Sequence, residues 1–312
     1  MRAFVTGGAG FIGSNLADKL MQLGEVTVYD NFSLGRKEYL EQHIDKKGFK
    51  VVMADVLHPL ALKQAMKGRN IVFHLSASNN IAGGLGQTDL DLKQGTQATY
   101  NVLEAMRLNG IKKIVYSSSA TVYGNAKVFP TPEDALLRPV SLYGASKLAS
   151  EGLITAYCNL FDMQAWIFRF GNVSGKRATH AVIVDFINKL KNNPKELEIL
   201  GDGKQQRPFF LVQDCVDGML FGLNHSNEQV NVFNLGVSST TNITTVAEIL
   251  VEEMGLQNVR FKYTGGSLGF PGDVPKVSLD VEKMAKLGWK AKYGSREAVR
   301  QAIKDMLNGG DL

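Results

Sequence analysis

Through the first half of the chain, short apolar runs alternate with longer stretches whose apolar positions recur every three to four residues. Ala3–Thr6, Val26–Asp30, Val51–Asp55, Ile71–Leu75, Ile114–Ser117 and Ala165–Phe170 are the short runs. Runs of this length and density predict strands buried on both faces. Most of the intervening segments are long enough to carry helices. The helix after the first run is expected to close at Leu23-Gly24, and one from about Leu90 to Leu108 at Asn109-Gly110, since glycine suits a left-handed cap. Strand-helix repetition requires parallel strands joined by right-handed crossovers, so the expected fold class is α/β, a doubly wound parallel sheet covered by helices.

After Phe170 the alternation breaks into a loop rich in Gly, Lys and Arg, followed by a helix over Val182–Lys191 that Asn193-Pro194 stops. The chain is expected to return to the sheet near Phe209–Val212 and Val230–Leu235, then to form helices near Val246–Met254, Val281–Leu287 and Arg296–Leu307. This divides it into a first unit of residues 1–171 with a returning segment at about 208–240, and a smaller interwoven α/β lobe of 172–207 and 241–312. No internal repeat or low-complexity linker is visible.

With 312 residues, 44% hydrophobic and 21% charged, the chain has material for a sizeable core and too little net charge for disorder. No run approaches the roughly 18 apolar residues of a membrane span, and Met1-Arg2 leads straight into the first strand, so neither a span nor a signal peptide is expected. Cys158 and Cys215 are the two cysteines; read as buried and reduced, they point to the cytoplasm. The net charge of +5 comes from scattered Lys and Arg without a recognition motif, so no nucleic-acid partner is expected. His43, His58, His74, His180 and His225 lie far apart without ligands at metal spacing, so no metal is expected.

The chemistry begins at Thr6-Gly7-Gly8-Ala9-Gly10-Phe11-Ile12-Gly13, between the first strand and the first helix. Gly7, Gly10 and Gly13 at three-residue spacing allow a tight turn, close approach of a pyrophosphate to amides at a helix N-terminus, and close helix-strand packing. Asp30 ends the second strand about 20 residues on, where a carboxylate accepts ribose hydroxyls and repels a 2′-phosphate; NAD is therefore expected rather than NADP. Arg36 and Lys37 follow it closely and read as a solvated helix start. Asp55-Val56 reads either as a contact for the adenine edge or as an ordinary helix cap.

Tyr143-Gly-Ala-Ser-Lys147 puts a phenol and an ammonium on one face of a predicted helix. It follows Ser117-Ser118-Ser119-Ala120-Thr121 at the carboxyl end of a strand, where doubly wound sheets place their ligands. A phenol with an ordinary pKa of about 10 needs help to act as a base near neutrality, and positive charge from Lys147 and an oxidised nicotinamide favours the phenolate.

With these motifs together, the sequence resembles the extended short-chain dehydrogenases/reductases, and among them the compact UDP-galactose (UDP-glucose) 4-epimerases. The resemblance rests on TGGAGFIGS from Thr6, DNFSLGR from Asp30, SSSATVYG from Ser117, YGASK from Tyr143, FRFGNVSG from Phe168, LGDGKQQR from Leu200 and PGDVP from Pro271. It implies Tyr143 as the base for a sugar 4-hydroxyl, Lys147 as the group that holds the nicotinamide ribose and depresses the tyrosine pKa, and Ser119 as the hydrogen-bond partner of the reacting oxygen. It extends the cofactor contacts beyond the glycines, Asp30, Asp55 and Val56 to Phe11, Ile12, Asn31, Ser33, Gly35, Leu75, Ala77, Ser117 and Phe170. It assigns the nucleotide sugar, a UDP-hexose, to Ser119, Asn172, His180, Arg207 and Asp273, with Asn172 and Arg207 on the diphosphate. A homodimer joined through a helix bundle is also common in this superfamily.

Related dehydratases and decarboxylases place an acid directly after the strand's serine or threonine; here those positions are Ala120-Thr121, which fits epimerisation. The chain departs from the family at Gly95, where an Asn is usual, at Leu268 and Phe270, where a phosphate Arg is frequent, and at Pro208–Leu211 after Arg207. An NAD-dependent dehydrogenase that releases NADH, and a degenerate NAD-binding regulatory protein, are the alternative readings.

Overall fold

The computed structural model describes residues 1–78 and 86–309. Its main sheet has seven parallel strands: β1 (Arg2–Thr6), β2 (Glu25–Asp30), β3 (Phe49–Met53), β4 (Ile71–His74), β5 (Lys113–Ser119) and β6 (Gln164–Phe170), with the last strand introduced below. β1 is central, with β2 and β3 on one side and β4, β5 and β6 on the other. The strand order therefore reverses between β1 and β4, which opens a crevice at their carboxyl ends.

Side-chain alternation along β1 divides the core. Ala3 and Val5 point to one face, where Leu16, Ala17 and Leu20 of α1 (Phe11–Leu20) cover them. Phe4 points to the other, against a cluster with Val102 and Met106 of a later helix and Ile154 and Cys158 of the next. On that face α2 (Pro59–Ala65) is joined by α3 (Ala98–Leu108) and α4 (Leu142–Phe161). The helix expected over 90–108 is present but is not α-helical throughout: Leu92–Gln97 forms a π-helical turn ahead of α3. Such turns frequently mark functional sites.

Beyond β6 come β7 (Asn172–Ser174), α5 (Val182–Asn192), β8 (Glu196–Ile199), β9 (Gln206–Arg207), β10 (Phe209–Leu211) and α6 (Val212–His225). β11 (Val230–Leu235) then completes the main sheet beside β6, as the sequence suggests. The expected return near Phe209–Val212 is corrected: β10 pairs with β7 in a separate two-stranded sheet, and Val212 already belongs to α6. Its run Phe209-Phe210-Leu211 is buried, and apolarity alone does not choose the partner. The remaining elements are β12 (Thr241–Asn242), α7 (Ile243–Glu253), β13 (Arg260–Tyr263), α8 (Glu282–Leu287) and α9 (Ser295–Asn308). β12 pairs with β9 and β13 with β8, and α5, α7 and α9 share a third apolar cluster through Ile187, Leu250 and Ile303.

Both cysteines are buried free thiols, and burial pushes Cys158 up to about 11. Among the described residues no helix is long and apolar enough to cross a membrane.

Candidate active site

The turn after β1 is built for close approach. Gly7 has φ of +67°, a conformation that side chains resist. A Cβ on Gly13 would stand 2.1 Å from the Gly7 carbonyl oxygen, so α1 can pack on this turn only with glycine there. The result leaves helix N-terminal amides facing the crevice at the sheet's switch point. Phe11 and Ile12 begin α1 and are half-buried.

Asp30 at the end of β2 is held by two amides: Ala9 N–H donates to Oδ2 at 2.9 Å and Phe32 N–H to Oδ1 at 2.8 Å. Burial raises its proton affinity, and these two donors pull it back. A Cβ at Gly35 would stand 2.8 Å from the Ala9 Cβ and 3.0 Å from Asp30 Oδ1, so Gly35 also lets the carboxylate lie flush with the glycine turn. Beside them the Asn31 amide donates to Asp55 Oδ2 at 2.8 Å and its carbonyl accepts from Ser33 N–H at 3.0 Å. β3 ends at Met53, so Asp55 lies two residues past the strand rather than at its end. It is not a helix cap: Oδ1 accepts from Leu57 N–H at 2.8 Å, while His58 precedes α2. Val56 is buried and its carbonyl accepts from the Asn101 amide.

At the ends of β4 and β5, Leu75 N–H donates to Thr6 O, half-buried Ala77 follows, and Ser117 O accepts from Lys147 Nζ at 2.6 Å. Lys147 lies on α4, its Nζ 5.6 Å from the Tyr143 ring centre and 4.9 Å from that of Tyr116. The Ser119 hydroxyl is the group that eases the Tyr143 phenol toward ionisation. Ser119, Tyr143 and Lys147 therefore converge as expected. Burial dominates the proton affinities of both titrating groups. Burial pushes Tyr143 up to about 12 and outweighs Ser119, while burial pulls Lys147 itself down to about 7. Within the protein alone, loss of water on burial is the largest influence on both groups.

Behind the dyad lies a buried polar layer that sequence reasoning missed. His74 Nδ1 meets Thr6 Oγ1 at 2.7 Å and Nε2 meets Thr99 Oγ1 at 3.1 Å, tying the glycine turn to α3. Arg169 on β6 forks onto Glu151 of α4 at 2.7 and 3.0 Å, and Ser118 Oγ donates to the same carboxylate. Burial, followed by the Lys147 charge, lowers His74 to about 3. Below pH 6.5 the unfolded chain takes up a proton that folded His74 refuses until about pH 3. This contribution to stability is full above pH 6.5 and is lost as the pH falls. Between pH 7 and 5 the wild type should lose about 2 kcal/mol more stability than His74→Asn, as read from urea unfolding midpoints.

The residues assigned to substrate divide into two groups. Asn172 opens β7 beside Phe209, and together with exposed His180 it lines a hollow shared with Ala178 and Met306. Arg207 is pinned: it donates to Asp273 Oδ1 at 2.5 Å and to the carbonyls of Gln206, Val274 and Pro275. Asp273 also accepts from Gly269 N–H, so it closes the turn in which Leu268 and Phe270 stand. Phe170, at the end of β6, is buried in the core.

A crevice at a switch point, a glycine cradle that a single Cβ would fill, an amide-held carboxylate after β2 and a Ser-Tyr-Lys cluster together fit NAD. Residues 3–236 match the NAD dependent epimerase/dehydratase family. The chain belongs to that family. It is an NAD-dependent enzyme with the family's doubly wound fold. A protein of Methanocaldococcus jannaschii named "Putative UDP-glucose 4-epimerase" is 33% identical over 97% of this chain and 98% of its own length. A solved UDP-galactose 4-epimerase is 35% identical with a TM-score of 0.89, covering 99% of this chain and all of the other. MoeE5, solved in complex with UDP-glucuronic acid and NAD, is 30% identical with a TM-score of 0.86, over 97% and 98% of the two chains. The departures at Gly95, Leu268 and Phe270 thus occur within the family's fold.

Proposed function

We propose that the protein interconverts UDP-glucose and UDP-galactose by inverting carbon 4 through a transient 4-keto sugar. The observation that carries this reading is the Ser119-Tyr143-Lys147 cluster with Ala120 and Thr121, and no acid, directly following Ser119 on the chain. Dehydration needs a further acid-base step, whereas inversion needs only reversible proton and hydride transfer on one carbon.

Gly7, Gly10 and Gly13 would cradle the NAD diphosphate, Asp30 the adenosine ribose, and Lys147 the nicotinamide ribose. Bound there, NAD supplies the acceptor and donor for the carbon 4 hydride. Tyr143 takes the 4-hydroxyl proton and later returns it, and Ser119 hydrogen-bonds the same oxygen. Asn172 and Arg207 hold the diphosphate. For Arg207 this requires Asp273 to share or release the guanidinium, whose bidentate fork suits phosphate. Exposed Tyr100 and Leu108 on α3 and Leu160 on α4 support a homodimer through these helices, and the free buried thiols support a cytoplasmic location.

Purified protein incubated with UDP-galactose should yield UDP-glucose with catalytic NAD and no growth of reduced-nicotinamide absorbance. Stoichiometric NADH would replace this reading with a dehydrogenase, and a 4-keto-6-deoxy product with a dehydratase.

A further inference from the structure

The π-helical turn Leu92–Gln97 presses directly on α4 at Gly95. A Cβ there would lie 2.6 Å from Oγ and 2.8 Å from Cβ of Ser146, which stands between Tyr143 and Lys147 in sequence. The glycine that departs from the family pattern is thus what allows the close contact. One turn earlier, at the head of this turn, stands Asp91, which the sequence reading did not single out. Its residue is 2% exposed, and neither carboxylate oxygen has a hydrogen-bond donor in good geometry. Ser78 stands near enough only to draw its proton affinity partly down from where burial puts it. A buried carboxylate without donors is unfavourable unless another charge compensates it.

The charged and titratable groups around Lys147 come from five elements. They are Tyr143 and Glu151 on α4, Tyr116 on β5, His74 on β4, Arg169 on β6 and Asp91 on the π-turn. His74 and Tyr116 are neutral near pH 7, the first lowered to about 3 and the second raised well above its ordinary value. Glu151 is paired with Arg169 and accepts from Ser118, and it is still the larger of the two carboxylate charges that raise Lys147. Asp91, the smaller of these two charges on Lys147, is the one whose oxygens have no hydrogen-bond partner, and it also acts on Tyr143.

We propose that Asp91 is a positioning residue for the proton-transfer pair, its buried, unpartnered carboxylate serving, alongside Glu151, as a counter-charge that favours the Lys147 ammonium beside Tyr143. This rests on reading Tyr143 and Lys147 as that pair. A negative charge beside both groups raises both proton affinities. Neutralising it lowers both, so the whole pH profile moves toward acid instead of merely shrinking.

The test is Asp91→Asn, which is nearly isosteric and breaks no hydrogen bond at Asp91 that the structure shows. In NAD-saturated protein, phenolate absorbance is titrated and the curve for the matching Tyr143→Phe variant is subtracted; this readout needs no sugar substrate. The Tyr143 titration should move to lower pH by about half a unit or more, and Asp91→Glu, which keeps the charge, should restore it. In turnover, both limbs of the rate profile should move the same way. An unmoved titration in Asp91→Asn, or one that Asp91→Glu fails to restore, overturns the proposal. A shifted titration in protein that turns over no UDP-hexose upholds Asp91 and overturns the substrate assignment instead.

Discussion

Replacing Tyr143 with phenylalanine is expected to lower turnover about 10³-fold while NAD remains bound, since general-base catalysis contributes roughly 10² to 10⁴. The phenol is the one group in the cluster able both to take a proton from a hydroxyl and to return it. Ser119 is too weak a base, and Lys147 Nζ is committed to the Ser117 carbonyl at 2.6 Å. The ring itself stays, so the ammonium beside it is kept. Turnover measured with UDP-galactose, together with an NAD titration of the same protein, checks the expectation. Near-wild-type turnover in Tyr143→Phe would remove Tyr143 as the base whatever the sugar.

Gly13→Ala should destroy cofactor binding more completely than any single change of a polar contact. The new methyl would meet the Gly7 carbonyl oxygen at 2.1 Å and the Gly8 Cα at 2.7 Å, and neither is a flexible side-chain end. Either α1 lifts from β1 or the turn deforms. Overpacking of this kind typically costs about 1–3 kcal/mol, and here the deformation falls on the amides that face the pyrophosphate. A loss of NAD affinity of at least about 100-fold is expected by titration calorimetry. Gly152→Ala is the internal control. That glycine lies within α4 with open space around its Cβ, so alanine should leave binding intact and raise stability by up to about 1 kcal/mol.

Most of the site was legible because its signals are local. Gly7, Gly10 and Gly13 specify a turn that only short side chains can make, and Asp30 falls at the end of a strand whose length the apolar run announces. Tyr143 and Lys147 lie four apart on a helix that Ser141 caps by accepting from Gly144 N–H. Each of these is a relation between residues near in sequence, governed by backbone geometry and side-chain direction. Asp55 shows the limit of such reading: its spacing allowed a helix cap, and the strand register that ends β3 at Met53 gave it an Asx turn instead.

The sequence by itself determined the parallel sheet, the glycine turn and the placing of Tyr143 and Lys147 on one helix face, because hydrophobic period, glycine spacing and a helical i,i+4 pair act over one or two elements. Tertiary structure decided everything that depends on partners distant along the chain. It paired β10 with β7 rather than with the main sheet, fastened Arg207 to Asp273, and threaded His74 between Thr6 and Thr99. It also set the proton affinities of Tyr143 and Lys147 in opposite directions from those their charges alone would give. The physical reason is desolvation. How much water a group loses is fixed by every element packed around it, and no spacing within one segment records that sum.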